Sequence, residues 1–413
     1  MKRLAAVSLS IAMAVLLASC GFGSSEDGHR EVDWEPVGHL TLALRSGTYA
    51  DVIEESVTAF EEETHIYCEL LKLGEDELHS GVMDDSANEE GSYDICMVDG
   101  SWMAEYTENG VLLNLSDYGY ELDDDIIPAT RKICYHDGDT YLAPYYGNVT
   151  ILLYNKRLAQ AAGYKDGEIG SLEDMMQICS YAASHRNLGF LYRGDTENNI
   201  VVDFLPILLS YGGWVVDEDN RPTVDTPEFH AAMEYYLELI ATGKAETKDN
   251  LILAIVNQAA AMGVGWPGWY TPERNGQADY AAITGRVSSG SKAYNANVYG
   301  IWTIGVTANS RNKENAVKLL EYLMDPEVQK ATVPSGGVPC RYSSLKDPGI
   351  LEDFPQYEPV CEALEGGVYR PIMAEWTDFY TILGTEMRFI INGEKTIDAG
   401  LSDAQSQLED MLK

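Results

Sequence analysis

The sequence predicts an α/β fold with largely parallel sheets, and three observations lead to this prediction. Segments with strand-like patterns alternate with segments of helical periodicity along most of the chain, and such alternation is typical of βαβ units. Several of the helical segments begin with residues that cap helices. The length of 413 residues leaves room for two domains of ordinary size after an N-terminal leader and tether are set aside.

The predicted strands are short and largely apolar. Residues 39–44 alternate between polar and apolar side chains, which is the period of a half-buried strand. Residues 93–98 are mostly apolar, as in a parallel strand that is covered on both faces. We expect further strands at residues 66–73 and 149–154.

The predicted helices begin at recognisable caps. Ser171 precedes an acidic residue three positions later, which is the pattern of a capping box. Thr226 and Asp325 each precede a proline, and proline is favoured at the first position of a helix. Residues 51–64 and 313–323 place apolar side chains on one helical face, so both helices are expected to pack against a sheet.

The N-terminus has the pattern of an export signal. Two basic residues precede an apolar run over residues 4–18, which has signal-peptide length and is short for a span of about 20 residues. The junction at Cys20 resembles the lipobox of bacterial lipoproteins. This resemblance implies a signal peptide over residues 1–19 and a lipidated Cys20, which begins a flexible tether over residues 20–37. The alternative is a secreted protein in which Cys20 has no special role.

The composition limits the partners. A formal net charge of −38 repels nucleic acid and anionic headgroups, so no nucleic acid is expected to bind, although a cation could. Besides Cys20, six cysteines occur without metal-binding spacing. They are expected to be free thiols, although export permits a disulfide. No metal or cofactor is expected. The six are Cys68, Cys96, Cys134, Cys179, Cys340 and Cys361.

Short motifs follow one another in order from residue 40 to the end of the chain. The clearest is Tyr-Leu-Ala-Pro-Tyr at residues 141–145, followed by Leu-Tyr-Asn-Lys at residues 153–156. In their order and spacing these motifs resemble the extracellular solute-binding proteins of family 1, the group that includes maltose-binding protein. Asn114 departs from the family pattern, in which proline is common. The other matching segments lie at residues 40–60, 93–102, 112–118, 212–228, 260–266, 312–329 and 335–339.

The resemblance implies the type II fold of periplasmic binding proteins, with two α/β lobes, crossover segments and a ligand cleft between the lobes. The N-terminal lobe would comprise residues 38–147 and 303–334, and the C-terminal lobe residues 148–302 and 335–413. Hinge closure around the ligand is the expected motion. The resemblance also implies a monomer without enzymatic activity. It would capture a sugar or oligosaccharide for the permease subunits of an ABC importer, outside the cytoplasm and anchored to the outer face of the cell membrane through Cys20.

A sugar presents flat C–H faces and a rim of hydroxyls, so its site needs aromatic rings beside carboxylates, amides and guanidinium groups. The sequence has such side chains where the family lines its cleft. The predicted ligand-binding residues are Arg45, Asp99, Trp102, Tyr145, Tyr146, Asn148, Trp214, Trp266, Trp269, Tyr270, Trp302, Arg370 and Trp376.

Some of these positions also have structural interpretations. A tryptophan commonly packs in the core because it is large and apolar. The glycine- and proline-rich turn around Trp266 and Trp269 favours the cleft, whereas Trp214 is equally compatible with either place. Asp99 could cap the following helix, and Arg45 could pair with one of many acidic residues nearby.

Other functions stay open. A glycoside hydrolase would need two positioned carboxylates, and no segment singles out such a pair among the 66 acidic residues. The acidic turn at residues 217–225 lacks the glycine and terminal glutamate of a calcium loop. The same fold could bind a polyamine or another small solute, or serve a sensor lipoprotein that acts without an importer. Genes for two membrane permeases beside this one would distinguish an importer from a sensor.

Overall fold

The structure is a computed structural model that describes residues 32–165, 168–269, 278–281 and 296–413. The predicted signal peptide, Cys20 and most of the predicted tether lie outside the described residues, as does Tyr270. The chain divides into two compact units, Met1–Asp33 and Trp34–Lys413. The elements below belong to the second unit.

Strands and helices alternate through this unit, as the sequence predicts. The strands are β1 (Gly38–Arg45), β2 (Ile66–Leu73), β3 (Ile95–Asp99), β4 (Tyr135–His136), β5 (Asp139–Thr140), β6 (Ala143–Tyr146), β7 (Ile151–Asn155), β8 (Leu188–Arg193), β9 (Lys244–Glu246), β10 (Ala260–Gly265), β11 (Ala278–Ala281), β12 (Val298–Tyr299), β13 (Trp302–Val306) and β14 (Val368–Tyr369).

The helices lie between these strands and, after β14, at the end of the chain. They are α1 (Thr48–Thr64), α2 (Glu75–Ser86), α3 (Met103–Glu108), α4 (Lys156–Ala161), α5 (Leu172–Ser184), α6 (Glu197–Ser210), α7 (Pro227–Ile240), α8 (Lys248–Val256), α9 (Lys313–Leu323), α10 (Pro326–Ala331), α11 (Tyr342–Leu345), α12 (Pro348–Asp353), α13 (Tyr357–Gly366), α14 (Trp376–Ile391) and α15 (Ile397–Met411).

Two five-stranded sheets organise the two lobes. The first has the order β2-β1-β3-β13-β6, and the second has the order β11-β7-β10-β8-β9. In the first sheet β1 is parallel to β2 and β3, whereas β13 is antiparallel to β3 and β6. In the second sheet β8 is parallel to β9 and β10, whereas β7 is antiparallel to β10 and β11. Both sheets are therefore mixed, whereas the sequence predicted largely parallel sheets. The antiparallel strands β7 and β13 come directly after a crossing between the lobes, and no βαβ connection leads into them.

The predicted helix caps are present. Ser171 and Asp174 form both bonds of a capping box at the start of α5. The Thr226 side chain accepts a bond from the Phe229 N–H at the start of α7, and Asp325 caps α10. These side chains satisfy N–H groups that the first turn of a helix leaves unpaired.

Two crossings between the sheets lie close to their predicted positions. The chain passes from β6 to β7 through residues 147–150, and from β12 to β13 through residues 300–301. The two crossings are tied together, since the Gly300 N–H donates to the Asn148 carbonyl. The lobe boundaries after residues 147 and 302 stay predictions.

The packing favours a later third boundary than the predicted one at residue 335. The Arg341 side chain is buried and bonds to Asp123 and Gln329 of the first lobe. The buried side chains of residues 376–408 instead join the apolar cluster of α5, α6 and α7. We therefore expect the third boundary to lie between Arg341 and α14.

The six cysteines of the described residues are buried and free, which agrees with the expectation of free thiols. Burial raises the pKa of the Cys96 thiol to about 12, so this cysteine packs as a neutral apolar residue. Among the described residues, no helix combines the length and the apolar character that crossing a membrane requires.

Candidate functional site

A cavity of about 250 Å³ is lined by residues from both sheets. Three of its charged residues are the last residues of strands, namely Arg45 of β1, Asp99 of β3 and Arg193 of β8. In open α/β sheets ligands bind beyond the carboxyl ends of the strands. The cavity therefore lies where this fold class places its ligands.

The structure brings eight of the predicted residues together around this cavity. They come from distant parts of the chain, which the two crossings and the loop after β10 bring together. The eight are Arg45, Asp99, Tyr146, Asn148, Trp266, Trp269, Trp302 and Arg370.

Four predicted residues that the structure describes do not line the cavity. Tyr145 is 4% exposed and packs in the core of the first lobe, because neighbouring residues of a strand point to opposite faces. Trp102 lies behind the cavity wall, edge-on to Trp302. Trp214 and Trp376 pack against the core of the second lobe. In these four positions the apolar interior, not the cleft, accounts for the aromatic side chain.

Two tryptophans of the second lobe form an aromatic wall. A Cβ atom at Gly300 would lie 2.7 Å from the Trp266 ring, and one at Gly265 would lie 2.7 Å from the Trp269 ring. Glycine at both positions therefore lets each ring rest directly on the backbone. The Arg193 guanidinium lies 6.0 Å from the Trp266 ring centroid and 5.2 Å from that of Trp269, within cation–π range.

Asp99 and Arg370 form a buried ion pair in the cavity wall. Both Asp99 carboxylate oxygens accept from Arg370 Nη2 at 2.7 Å, and one also accepts from the Ser101 N–H and hydroxyl. Burial works to lower the pKa of Arg370, but the Asp99 carboxylate outweighs it and raises that pKa. These bonds hold the carboxylate in place. Asp99 therefore both caps the following helical turn, as one interpretation of the sequence suggested, and lines the cavity.

Arg45 is less firmly paired. Its Nη2 lies 3.7 Å from the Glu75 carboxylate, longer than the 2.7–2.9 Å of a charge-assisted hydrogen bond, and its Nη1 donates to the Ser46 hydroxyl at 3.0 Å. Its Nε is buried and has no hydrogen-bond partner among the described residues. The guanidinium also lies 6.0 Å from the Trp302 ring centroid.

A hydrogen bond joins the first turn of α1 to the first crossing between the sheets. Asn148 Nδ2 donates to the Tyr49 hydroxyl at 2.7 Å, and burial raises the pKa of Tyr49 to about 12, so this hydroxyl stays neutral. Asn148 Oδ1 and Asn198 Oδ1 are buried without a partner among the described residues. Both are acceptors at the cavity, and ligand hydroxyls are donors that could satisfy them.

Sequence reasoning missed several residues of the cavity. Tyr49 follows the glycine turn after β1, and Glu75 begins α2. Arg193 is held by the buried Asp203, with Nε to Oδ1 at 3.0 Å, and Asn199 accepts from its Nη1 at 2.8 Å. The sequence did contain a signal for Arg193, because this charged residue ends an apolar strand. The other lining residues that were not predicted include Ser46, Asn198, Val202 and Lys248.

The arrangement suits recognition of a small polar molecule with an apolar face. Indole rings line it together with guanidinium, carboxylate and amide groups. Among the described residues, no cluster of three or more histidine, cysteine, aspartate or glutamate side chains could hold a metal ion.

Comparison with known proteins identifies relatives across most of the chain. Residues 46–330 match the family described as bacterial extracellular solute-binding protein. A probable amino-acid ABC transporter periplasmic-binding protein of Sinorhizobium fredii is 24% identical over 284 residues, covering 65% of this chain and 64% of that protein. The match therefore spans slightly less than two thirds of that relative's length.

Two further proteins match over nearly the whole chain. The diacetylchitobiose binding protein DasA of Streptomyces coelicolor is 23% identical over 403 residues, covering 91% of this chain and 90% of that protein. The structure of maltose-bound MalE3 of T. maritima superposes with a TM-score of 0.79 at 21% identity, covering 91% of this chain and 100% of that chain. At this identity the structural likeness establishes the fold alone.

Proposed function

The chain belongs to the bacterial extracellular solute-binding proteins, and on this premise we propose that it binds a sugar or oligosaccharide and delivers it to the permease subunits of an ABC importer. The observation that carries this proposal is the pairing of two indole rings, Trp266 and Trp269, with polar side chains in one cavity. Indole rings suit the C–H face of a sugar, and the polar groups suit its hydroxyls. The names of two matching proteins refer to diacetylchitobiose and maltose, and both ligands are sugars.

The residues of the cavity receive specific roles in this proposal. Trp266 and Trp269 stack on a sugar ring, and Trp302 closes the opposite side. The acceptors Asn148 Oδ1 and Asn198 Oδ1 receive hydroxyl protons of the ligand, because each is buried without a protein partner among the described residues. Closure of the two lobes about residues 147–150 and 300–301 excludes water from these contacts.

A polyamine is disfavoured as the ligand. In the part of the chain that the structure describes, four cationic side chains and two carboxylates line the cavity. One of these carboxylates, Asp99, is already bonded to Arg370. An added polycation would meet unfavourable charge. An amino acid is the second candidate, because the cavity holds groups of both charges and one relative is named for amino-acid transport.

Catalysis is not part of the proposal. A glycosidase needs one carboxylate that donates a proton and a second that acts as base or nucleophile. Asp99 accepts bonds from Arg370 and Ser101, and these bonds engage its oxygens. We therefore assign Asp99 to structure and binding rather than to proton transfer.

We also propose that the protein lies outside the cytoplasm and is held at the membrane by a lipid anchor on Cys20. Two or more acyl chains hold a protein stably at a membrane, and anchoring would keep a monomeric binding protein beside its importer. Cys20→Ser is expected to move the protein from the membrane fraction to the soluble fraction and to abolish labelling by radioactive palmitate. Membrane association that survives this change would contradict the anchor.

Thermal unfolding of the purified protein with a panel of compounds tests the ligand class. The panel contains mono-, di- and oligosaccharides, polyols, amino acids and polyamines. A ligand at 100 times its Kd adds about 2.7 kcal/mol to the folded state, so one class of sugar should raise the unfolding midpoint by several degrees. Stabilisation by amino acids or polyamines alone would overturn the sugar and leave the transport role.

A further inference from the structure

We propose that the ligand is an acidic sugar, whose carboxylate binds at Arg45 and the first turn of α1 while its ring stacks on the indole wall. This inference rests on the proposed function and narrows its substrate class.

The cavity reverses the charge balance of the chain. The sequence has 28 basic and 66 acidic residues, yet among the described residues four cationic side chains and two carboxylates line the cavity. Asp203 lies behind the wall and pairs with Arg193, so the cations still outnumber the anions when it is included. A local excess of positive charge on a strongly acidic protein favours an anionic ligand group.

Of the three arginines that line the cavity, Arg45 has the longest ion pair that the structure records. Arg370 bonds to both oxygens of Asp99 at 2.7 Å, and Arg193 bonds to Asp203 at 3.0 Å. Arg45 lies 3.7 Å from its nearest recorded carboxylate, and its buried Nε has no partner among the described residues. A planar guanidinium with a free edge matches a carboxylate, which can accept two parallel bonds.

The N-terminus of α1 adds donors at the same place. Residues 46–49 line the cavity, and the helix that begins at Thr48 is 17 residues long. Gly47 precedes it without a side-chain cap, and a Cβ at this position would have no atom within 4 Å. The first N–H groups of the helix therefore receive no cap from Gly47, and together with the helix dipole they favour an anion.

Two features fit the remainder of an acidic sugar. Asn148 is buried and lines the cavity, and its Oδ1 lacks a partner among the described residues, so it can accept from a hydroxyl of the ring. Glu75 is the anion nearest Arg45, and burial together with the nearby Asp99 charge raises the pKa of Glu75. At 3.7 Å from Arg45, Glu75 leaves the guanidinium without a close charge-assisted bond.

Titration calorimetry with matched sugar pairs tests the inference on the full-length protein. The pairs are D-glucuronate with D-glucose, D-galacturonate with D-galactose, and the disaccharides of each. We expect an acid to bind at least tenfold more tightly than its neutral partner at pH 7, and its affinity, unlike that of the neutral sugar, to fall as NaCl is raised. This salt dependence needs no variant and stands even if a substituted protein fails to fold.

Arg45→Gln is expected to remove the preference for the acid, with at least a tenfold loss of acid affinity. Arg157→Gln is the matched control, because Arg157 is exposed and does not line the cavity, and it should bind the acid as the unchanged protein does. A neutral sugar that binds as tightly as its acid would overturn the inference and leave the proposed function intact. Binding of no member of any pair would count against both.

Discussion

At the scale of single residues, the backbone position of a side chain decides whether it reaches the cavity. Tyr145 and Tyr146 are neighbours in β6, and only Tyr146 lines the cavity, since successive side chains of a strand face opposite ways. Both were predicted as ligand contacts because they are aromatic residues at a position where the family lines its cleft. The sequence identified the aromatic segment, but the orientation within it depends on the neighbouring strands.

Trp266→Ala should weaken ligand binding and leave the fold intact. Trp266 is partly exposed and rests on the backbone of Gly300, so its removal takes away a stacking surface and little of the core. Loss of one aromatic platform costs about 1–3 kcal/mol of binding free energy. Calorimetry measures this change. Trp34→Ala is the control, because Trp34 stacks on His65 outside the cavity and should leave the affinity unchanged.

Tyr145→Ala should instead destabilise the protein. The side chain is 4% exposed, and truncation of a large buried aromatic residue costs about 3–5 kcal/mol in the free energy of unfolding. Urea unfolding gives this value, and Tyr145→Phe, which keeps the ring, should cost less than half as much. A fully stable Tyr145→Ala protein that has lost its ligand would place Tyr145 back in the site.

At the scale of elements, local signals were predictable and tertiary partners were not. The caps at Ser171, Thr226 and Asp325 are confirmed, because the chemistry of a cap lies within four residues. Arg193 was missed because its partner Asp203 lies on the next helix, and their pairing depends on how α6 packs on β8. Trp376 was likewise predicted as a ligand contact, but it begins α14 and its ring stacks on Phe379.

Gly300→Ala should reduce ligand affinity by moving the indole wall. The added Cβ would lie 2.7 Å from the Trp266 ring, closer than atoms pack, so the ring must shift away from the crossing segment. We expect at least a tenfold rise in Kd with a small loss of stability, measured by calorimetry and urea unfolding. Gly81→Ala is the control, since its Cβ would meet only the Tyr93 hydroxyl at an ordinary 3.6 Å. An unchanged Kd for Gly300→Ala would show that Trp266 does not contact the ligand.

At the scale of the whole molecule, the family and the two-lobed fold were predictable, and both are confirmed. Ordered motifs spread over the chain carry this information even when each motif is weak. The third lobe boundary was harder to predict, because no sequence motif indicates which lobe Arg341 and the helices after it pack against. The lobe boundaries stay predictions, with the third moved toward α14.

Arg370→Gln should lower the free energy of unfolding by about 3–5 kcal/mol, because it removes one partner of a buried ion pair. Arg370 bonds to Asp99 across 271 residues of sequence and so ties β3 to the segment after β14. Combining it with Asp99→Asn should cost less than the sum of the single changes. Arg311→Gln, at an exposed pair with Glu90, should cost no more than about 1 kcal/mol. Additive costs would mean that the pair does not hold these segments together.

The crystal structure of the protein with the sugar that most raises its unfolding midpoint tests the central claim most directly. The account predicts one sugar in the cavity, with a ring stacked on Trp266 or Trp269 and hydroxyls within hydrogen-bond distance of Asn148 Oδ1. It also predicts lobes closed over the ligand. A sugar bound elsewhere on the protein, or a cavity that stays empty while the sugar stabilises the fold, would contradict the account.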